Sequence, residues 1–293
     1  HIDIFSNSME RTEKMGALLK KNKKSSVIVY SILGLIIGAV MVFPLLIMLS
    51  ISLKPEASIF VKPLQLIPDE IFLGNYKVVF SNKYFARWYI NTIEIVIFTL
   101  LLRGFVVTLA AYAFARLRFR GRNGLFLLVL TGLMITPDTT IVARYLLYKY
   151  MGLIDTMWVI IIPGAFSVFF LFMMRQFFFS IPMELSEAAL IDGCSHFKIY
   201  YSIILPLMKP ALMTMTVFTL IWSWNDYTDP FIFITRIERQ MISVGLKYFA
   251  DANGARIGAQ MAGASFGVIP PILLFLFTQK YFVEGIASSG IKG

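Results

Sequence analysis

IPMELSEAALIDGCSHFKIYYSIILPLMKPAL (residues 181–212) is a polar link set between long apolar runs. Pro182 can open a helix, because its missing N–H would be unpaired in a first turn anyway. Glu184 and Glu187 fall in the first turns, where carboxylates suit the positive end of the helix dipole. Ala188, Ala189, Leu190 and Ile191 continue the helix, and Gly193 is a natural breaker after Asp192. A second helix is predicted over about His196–Ile204, ending at Pro206. The segment Ser180–Pro210 thus reads as a helix–turn–helix at a membrane surface. Two readings stay open at this point. The small-residue first helix enters a groove on a partner, or it is a plain amphipathic interfacial helix with no partner.

On either side of this link the chain is dominated by apolar runs. The 293 residues are 58% hydrophobic and 15% charged, with a mean hydropathy of +0.74. A soluble domain of this length needs more polar surface, so the pattern predicts a polytopic membrane protein. A span needs about 20 mainly apolar residues. About six are predicted, near Val27–Leu53, Trp88–Ala115, from Gly124 onward, Val159–Phe179, Ala211–Ile234 and Met261–Val283. The third is broken by Thr136-Pro137-Asp138 and the fifth by Asn225-Asp226; such breaks are tolerated only against protein or a water-filled cavity. Pro270-Pro271 should kink the sixth. Gly254, Gly258, Gly263 and Gly267 allow close helix approach there. The fold class predicted is therefore all-α, a membrane helix bundle.

Orientation is read from Lys and Arg near the span ends. Arg11, Lys14, Lys20, Lys21, Lys23 and Lys24 precede the first span, and Arg116, Arg118, Arg120 and Arg122 crowd the link after the second. Both sites belong on the cytoplasmic side. Residues 1–26 are then a cytoplasmic tail. The membrane domain is 27–293, with the link at about 180–210 and a C-terminal tail at about 284–293 also inside. The basic residues behind the net charge of +10 are densest in these clusters, and the connections Lys54–Arg87, Asp138–Trp158 and Arg236–Gln260, which then face outward, also carry Lys54, Lys62, Lys77, Lys83 and Arg87. No basic face with interleaved aromatics suggests nucleic acid. One cysteine (Cys194) excludes an internal disulfide. With only His1 and His196 besides, no metal site is expected. No G-x-x-x-x-G-K-[ST] phosphate loop occurs and no Ser/His, H-E-x-x-H or paired-acid constellation supports an enzyme.

The motif spacing carries more than the local physics. Glu187-Ala188-Ala189, three residues, Gly193, nine residues, then Ile203, one residue, Leu205-Pro206 resembles the EAA loop of ABC importer permeases. Ala111–Arg116 running into Phe119–Arg122, Trp224-Asn225-Asp226, and the ending Gln279–Ile286 through Gly290–Gly293 are similar to maltose-type carbohydrate permeases. The resemblance implies a transport subunit, not an enzyme. It would sit as a multi-pass protein in the bacterial inner membrane, with both termini cytoplasmic. It would pair with a second permease, two ATPase subunits that carry ATP and Mg, and an extracytoplasmic sugar-binding protein. It implies that Glu187, Ala188, Ala189 and Gly193 dock on the ATPase, with Asp192, Ile203, Leu205 and Pro206 completing the loop, and that Gly290–Gly293 is a second contact.

Within the spans, Glu94 and Arg103 point to opposite faces of one helix, and each is expected to find a partner elsewhere. Trp222, Trp224, Asn225, Asp226 and Tyr227 combine aromatic faces for sugar C–H surfaces with groups that bind hydroxyls. They are read as a candidate substrate pathway, against an alternative in which the tryptophans form an interfacial belt and Asn225-Asp226 caps a broken helix. Oligosaccharide is the expected cargo. The basic outer segments and Arg103 suit an acidic, uronate saccharide of the alginate type. The rivals are a permease for a non-sugar solute and an ion-coupled secondary transporter, for which only Glu94 and Asp226 are candidate coupling acids.

Overall fold

The computed structural model describes residues 29–251 and 254–290, with side chains through residue 279. The expected N-terminal tail and residues 291–293 lie outside the described residues. Four helices are long and apolar enough to cross a bilayer: Val29–Ser52, Phe85–Arg116, Trp158–Ser180 and Ile257–Gln279. Two bent pairs, 122–150 and 196–225, bring the number to six if each is one span. The bundle is helical apart from a two-residue antiparallel pairing of Ala250–Asp251 with Gly254–Ala255.

The broken spans are more sharply broken than the sequence suggests. Arg122–Met134 meets Pro137–Tyr150 at 91°, at the Thr136-Pro137 break. The fifth span, Lys209–Asn225, stops at Asp226 as expected, and a short helix, Thr228–Phe233, follows. The expectation that Pro206 ends the preceding helix is corrected. That helix runs on to Leu207 and breaks at Met208, bending 78° into the fifth span. A π turn over Tyr200–Ile204 precedes the proline. Widening the helix there relieves the clash that a proline ring makes with the carbonyl four residues back. The last helix breaks at Val268 and its backbone continues as Ile269–Gly290, into the segment expected as a tail.

The helix Phe85–Arg116 is the axis of the bundle, packed against the fourth, fifth and 242–245 helices. Its N-terminal end is stitched to the segment that joins the last two spans. Trp88 Nε1 donates to Ile237 O (2.5 Å), Asn91 Nδ2 to Glu238 O and Gln240 O (2.9 and 3.0 Å), and Ile242 N–H to Thr92 Oγ1 (2.9 Å). Gly245 lies flat on Trp88, leaving no room for a Cβ. In the loop after the first span the buried Lys54 ammonium donates to Lys62 O and Gln65 O, and Glu56 accepts from Gly258 N–H. The first span contrasts with all this, since its apolar stretch has no residue buried among the described residues.

Prolines set a second rule of assembly. A proline has no N–H, so the carbonyl four residues earlier loses its helical donor, and in a bilayer it must find another. Pro270 frees Phe266 O, which accepts from Tyr89 Oη (3.3 Å). Pro271 frees Gly267 O, which accepts from Trp224 Nε1 (2.8 Å). Asp226 O, on the extended residue that ends the fifth span, accepts from Ser243 Oγ (2.5 Å). Phe178 O, one of the carbonyls that the end of the fourth span leaves without a helical donor, accepts from Arg116 Nη2 (2.7 Å). Trp224→Phe should therefore lower the thermal midpoint of the solubilised protein, at a cost of about 1–3 kcal/mol. Pro271→Ala, which restores the backbone donor, should recover part of that loss. Equal costs of Trp224→Phe with and without Pro271 would rule this pairing out.

Candidate functional site

The link 181–212 folds from its caps inward. Its first helix is Glu184–Ile191. The helix closes with Cys194 N–H on Ala189 O (2.9 Å) and Gly193 N–H on Leu190 O (3.0 Å). This is a Schellman end, which needs the left-handed φ of +80° that Gly193 supplies. Ser195 then caps the second helix by accepting from Lys198 N–H (3.3 Å). The whole unit is bolted to the C-terminal half of Phe85–Arg116. Thr108 and Tyr200 hydroxyls share a 2.7 Å hydrogen bond, and Tyr112 Oη donates to His196 O (3.2 Å). Tyr112 also sets its ring edge against Phe178 and Tyr200.

Arg116 fixes the angle at which the link leaves the fourth span. Its guanidinium is buried and donates to Phe178 O and Ile181 O (2.7 and 2.6 Å), with Pro182 O and Met183 Sδ beside it. A cation on the last carbonyls of a helix also meets the negative end of its dipole. Between this residue and the first helix of the link lies a groove of about 570 Å³ floored by Tyr112, Ser186, Glu187 and Leu190.

The residues expected to dock divide into two sets. Glu187, Ala188, Asp192 and Gly193 are exposed, whereas Ala189 is buried and packs inward. Ile203 and Leu205 are partly buried against the same interior cluster, and Pro206 is exposed. The exposed face also carries Leu190, Phe197, Tyr201 and Ile191, the last 87% exposed. These apolar residues were not singled out from sequence, because in a membrane chain their hydrophobicity reads as burial in lipid.

The five candidate pathway residues do not form one site. Trp224 is buried, spends its N–H on Gly267 O, and meets Tyr89 edge to face at 5.6 Å. It holds the fifth span to the sixth. Asn225 is exposed on that side, with its amide on Ile221 O. Tyr227 is exposed and stacks on Phe231 at 5.4 Å. Trp222 and Asp226 face a different cavity, shared with Thr99, Arg103, Gly164 and Ser223. Arg103, expected to find a partner on another helix, donates to Gly164 O (2.7 Å) and Thr219 Oγ1 (3.0 Å). Glu94, half buried, has no such partner among the described residues. No group of His, Cys, Asp and Glu able to hold a metal ion occurs among the described residues.

Residues 15–288 match the family described as binding-protein-dependent transport system inner membrane component. The chain belongs to that family. Its relatives include carbohydrate permeases of ABC importers, and the maltose-type resemblance holds. The arabinooligosaccharides transport system permease protein AraQ of Bacillus subtilis is 32% identical over 86% of this chain and 90% of its own length. The galactooligosaccharides transport system permease protein GanQ of the same organism is 33% identical, over 87% and 92%. The maltodextrin transport system permease protein MdxG, also from B. subtilis, is 33% identical over 75% and 81%. Among solved structures, a chain of a bacterial ABC transporter involved in the import of the acidic polysaccharide alginate superposes with a TM-score of 0.77. It is 26% identical, over 87% of this chain and 95% of that one.

Replacing Arg116 by Ala should cost about 3 kcal/mol, since it removes charged donors from two buried carbonyls. The link should become the first site of limited proteolysis. Unchanged cleavage and an unchanged thermal midpoint would show that Arg116 does not hold it.

Proposed function

We propose that this chain is the membrane-spanning permease of an ATP-driven importer that moves oligosaccharide across the bacterial inner membrane by alternating access. It pairs with a second permease. Two ATPase subunits close on ATP and Mg and drive the link at Glu184–Ile191, and an extracytoplasmic sugar-binding protein delivers the cargo. Both termini and the link face the cytoplasm. One observation carries the reading. A permease of this family presents Glu187, Ala188, Leu190 and Ile191 to solvent on a short, rigidly capped helix that is bolted to its longest span. Movement of that helix is transmitted to the bundle, whose two packings the nucleotide state would bias. No phosphate loop is present in the sequence, so the energy comes from the partner.

A second, finer reading is an acidic cargo of the uronate type. The structural likeness to the alginate importer and basic residues of the outer segments, such as Lys62, Lys77, Lys83 and Arg87, favour it. Uptake of neutral against uronate oligosaccharides by the assembled importer separates the two; competition only by neutral sugars would exclude the acidic reading.

Glu187→Arg should abolish uptake and cargo-stimulated ATP hydrolysis while the protein still reaches the membrane. Gly193→Val should do the same more mildly, because it forces a β-branched residue to positive φ. Retention of more than half the parent uptake by Glu187→Arg would refute docking through this helix.

A further inference from the structure

Halfway along Phe85–Arg116 lies a cavity of about 280 Å³. It is close to the lower end of the ~300–1,000 Å³ of small-ligand sites. Three of its groups are not satisfied by the protein. Thr99 Oγ1 is buried and has no hydrogen-bond partner. Arg103, one turn further along the same face, is only 8% exposed. It spends two of its N–H groups on Gly164 O and Thr219 Oγ1, and the rest of its fork has no acceptor among the described residues. Asp226 caps the Thr228–Phe233 helix, its Oδ1 accepting from Asp229 N–H (3.3 Å), and no side chain among the described residues donates to its carboxylate. The neighbouring charges are already paired. Arg144 holds Asp229 through two bonds of 2.8 and 2.9 Å. The remaining wall is Trp222, braced by Phe169, Phe170 and Phe218 and 47% exposed.

We infer that this cavity is a subsite for one hydroxyl-bearing ring of the cargo. Arg103 donates to ring hydroxyls, Asp226 accepts from them, Thr99 does either, and the Trp222 indole covers a C–H face. The inference rests on the oligosaccharide reading above. It adds Thr99 and Arg103 to the pathway and leaves Trp224 out. Burying an arginine in a span is costly, and such residues mark pathways more often than packing. Here the cost is left partly unmet by the protein itself, as is that of Thr99. The open charges, Arg103 and Asp226, are equal and opposite. The subsite therefore reads hydroxyls, and a uronate carboxylate entering it would face Asp226 and Asp229.

The test uses the complete importer, with its second permease, ATPase pair and binding protein, in proteoliposomes. Initial uptake is measured for malto-, arabino- and uronate trisaccharides and for singly deoxygenated versions of whichever is imported. Thr99→Val keeps the shape of the side chain and breaks no bond within the protein. It should raise KM about tenfold, the loss of one hydrogen bond, with kcat little changed. One deoxy sugar should be penalised about tenfold by the parent and not by Thr99→Val. Asp226→Asn should raise KM for neutral sugar and narrow the discrimination against uronate. Import by the parent with KM within twofold for both variants, and deoxy penalties unaltered, overturns the subsite and leaves the saccharide reading standing. Import of none of the saccharides by the parent overturns both.

Discussion

A carbonyl without a donor inside a bilayer has no water to turn to. Much of this bundle follows from that constraint. Two prolines each release a carbonyl one turn upstream, taken by Tyr89 and Trp224, and two carbonyls at helix ends are taken by Ser243 and Arg116. The breaks are thereby converted into joints between spans. A helix interrupted by proline is held by its interruption, because the freed acceptor specifies which neighbour must lie beside it and at what height. The same logic places Arg103 on Gly164 O, where the fourth span is interrupted before Val168.

The consequence for coupling is geometric. Thr99 and Arg103 lie on the helix that carries Thr108, Tyr112 and Arg116 toward its C-terminal end. An α-helix rises about 1.5 Å per residue, so Arg103 and Arg116 are roughly 20 Å apart on one rod. The link hydrogen-bonds to one end of the rod and the cavity lies at its middle. The two ends of the proposed mechanism thus share a single rigid element, and a tilt at the link is felt at the cavity without any intervening loop.

Much of this was legible in the sequence. The six apolar runs, the breaks at Thr136-Pro137 and Asn225-Asp226, and the glycine stop at Gly193 all follow from local rules, and each is present in the structure. Pro206 misled, because its cost was absorbed by a π turn that no local signal announces. The pathway residues were legible as a composition and not as a site. Trp222 and Trp224 are two apart, so a helix turns them to different faces, and only tertiary contacts show that one is braced at a cavity and the other spent on Gly267. Thr99 carried no signal at all, since a threonine in an apolar run looks like packing until its hydroxyl is found without a partner. Arg116 was read as one of four orientation charges. Its structural role depends on Phe178 O, more than sixty residues away in sequence.

The first span completes the picture from the opposite direction. Every other span is held by something within the chain, while the apolar stretch of Val29–Ser52 contributes nothing to the chain's own interior. Among the described residues nothing covers it, which leaves its energy of association to lipid or to another subunit. Synthesised alone, the chain would display this helix as an open apolar flank. Its persistence in a cell is then a matter of mass action, with the amount of permease that accumulates set by the supply of whatever covers that flank.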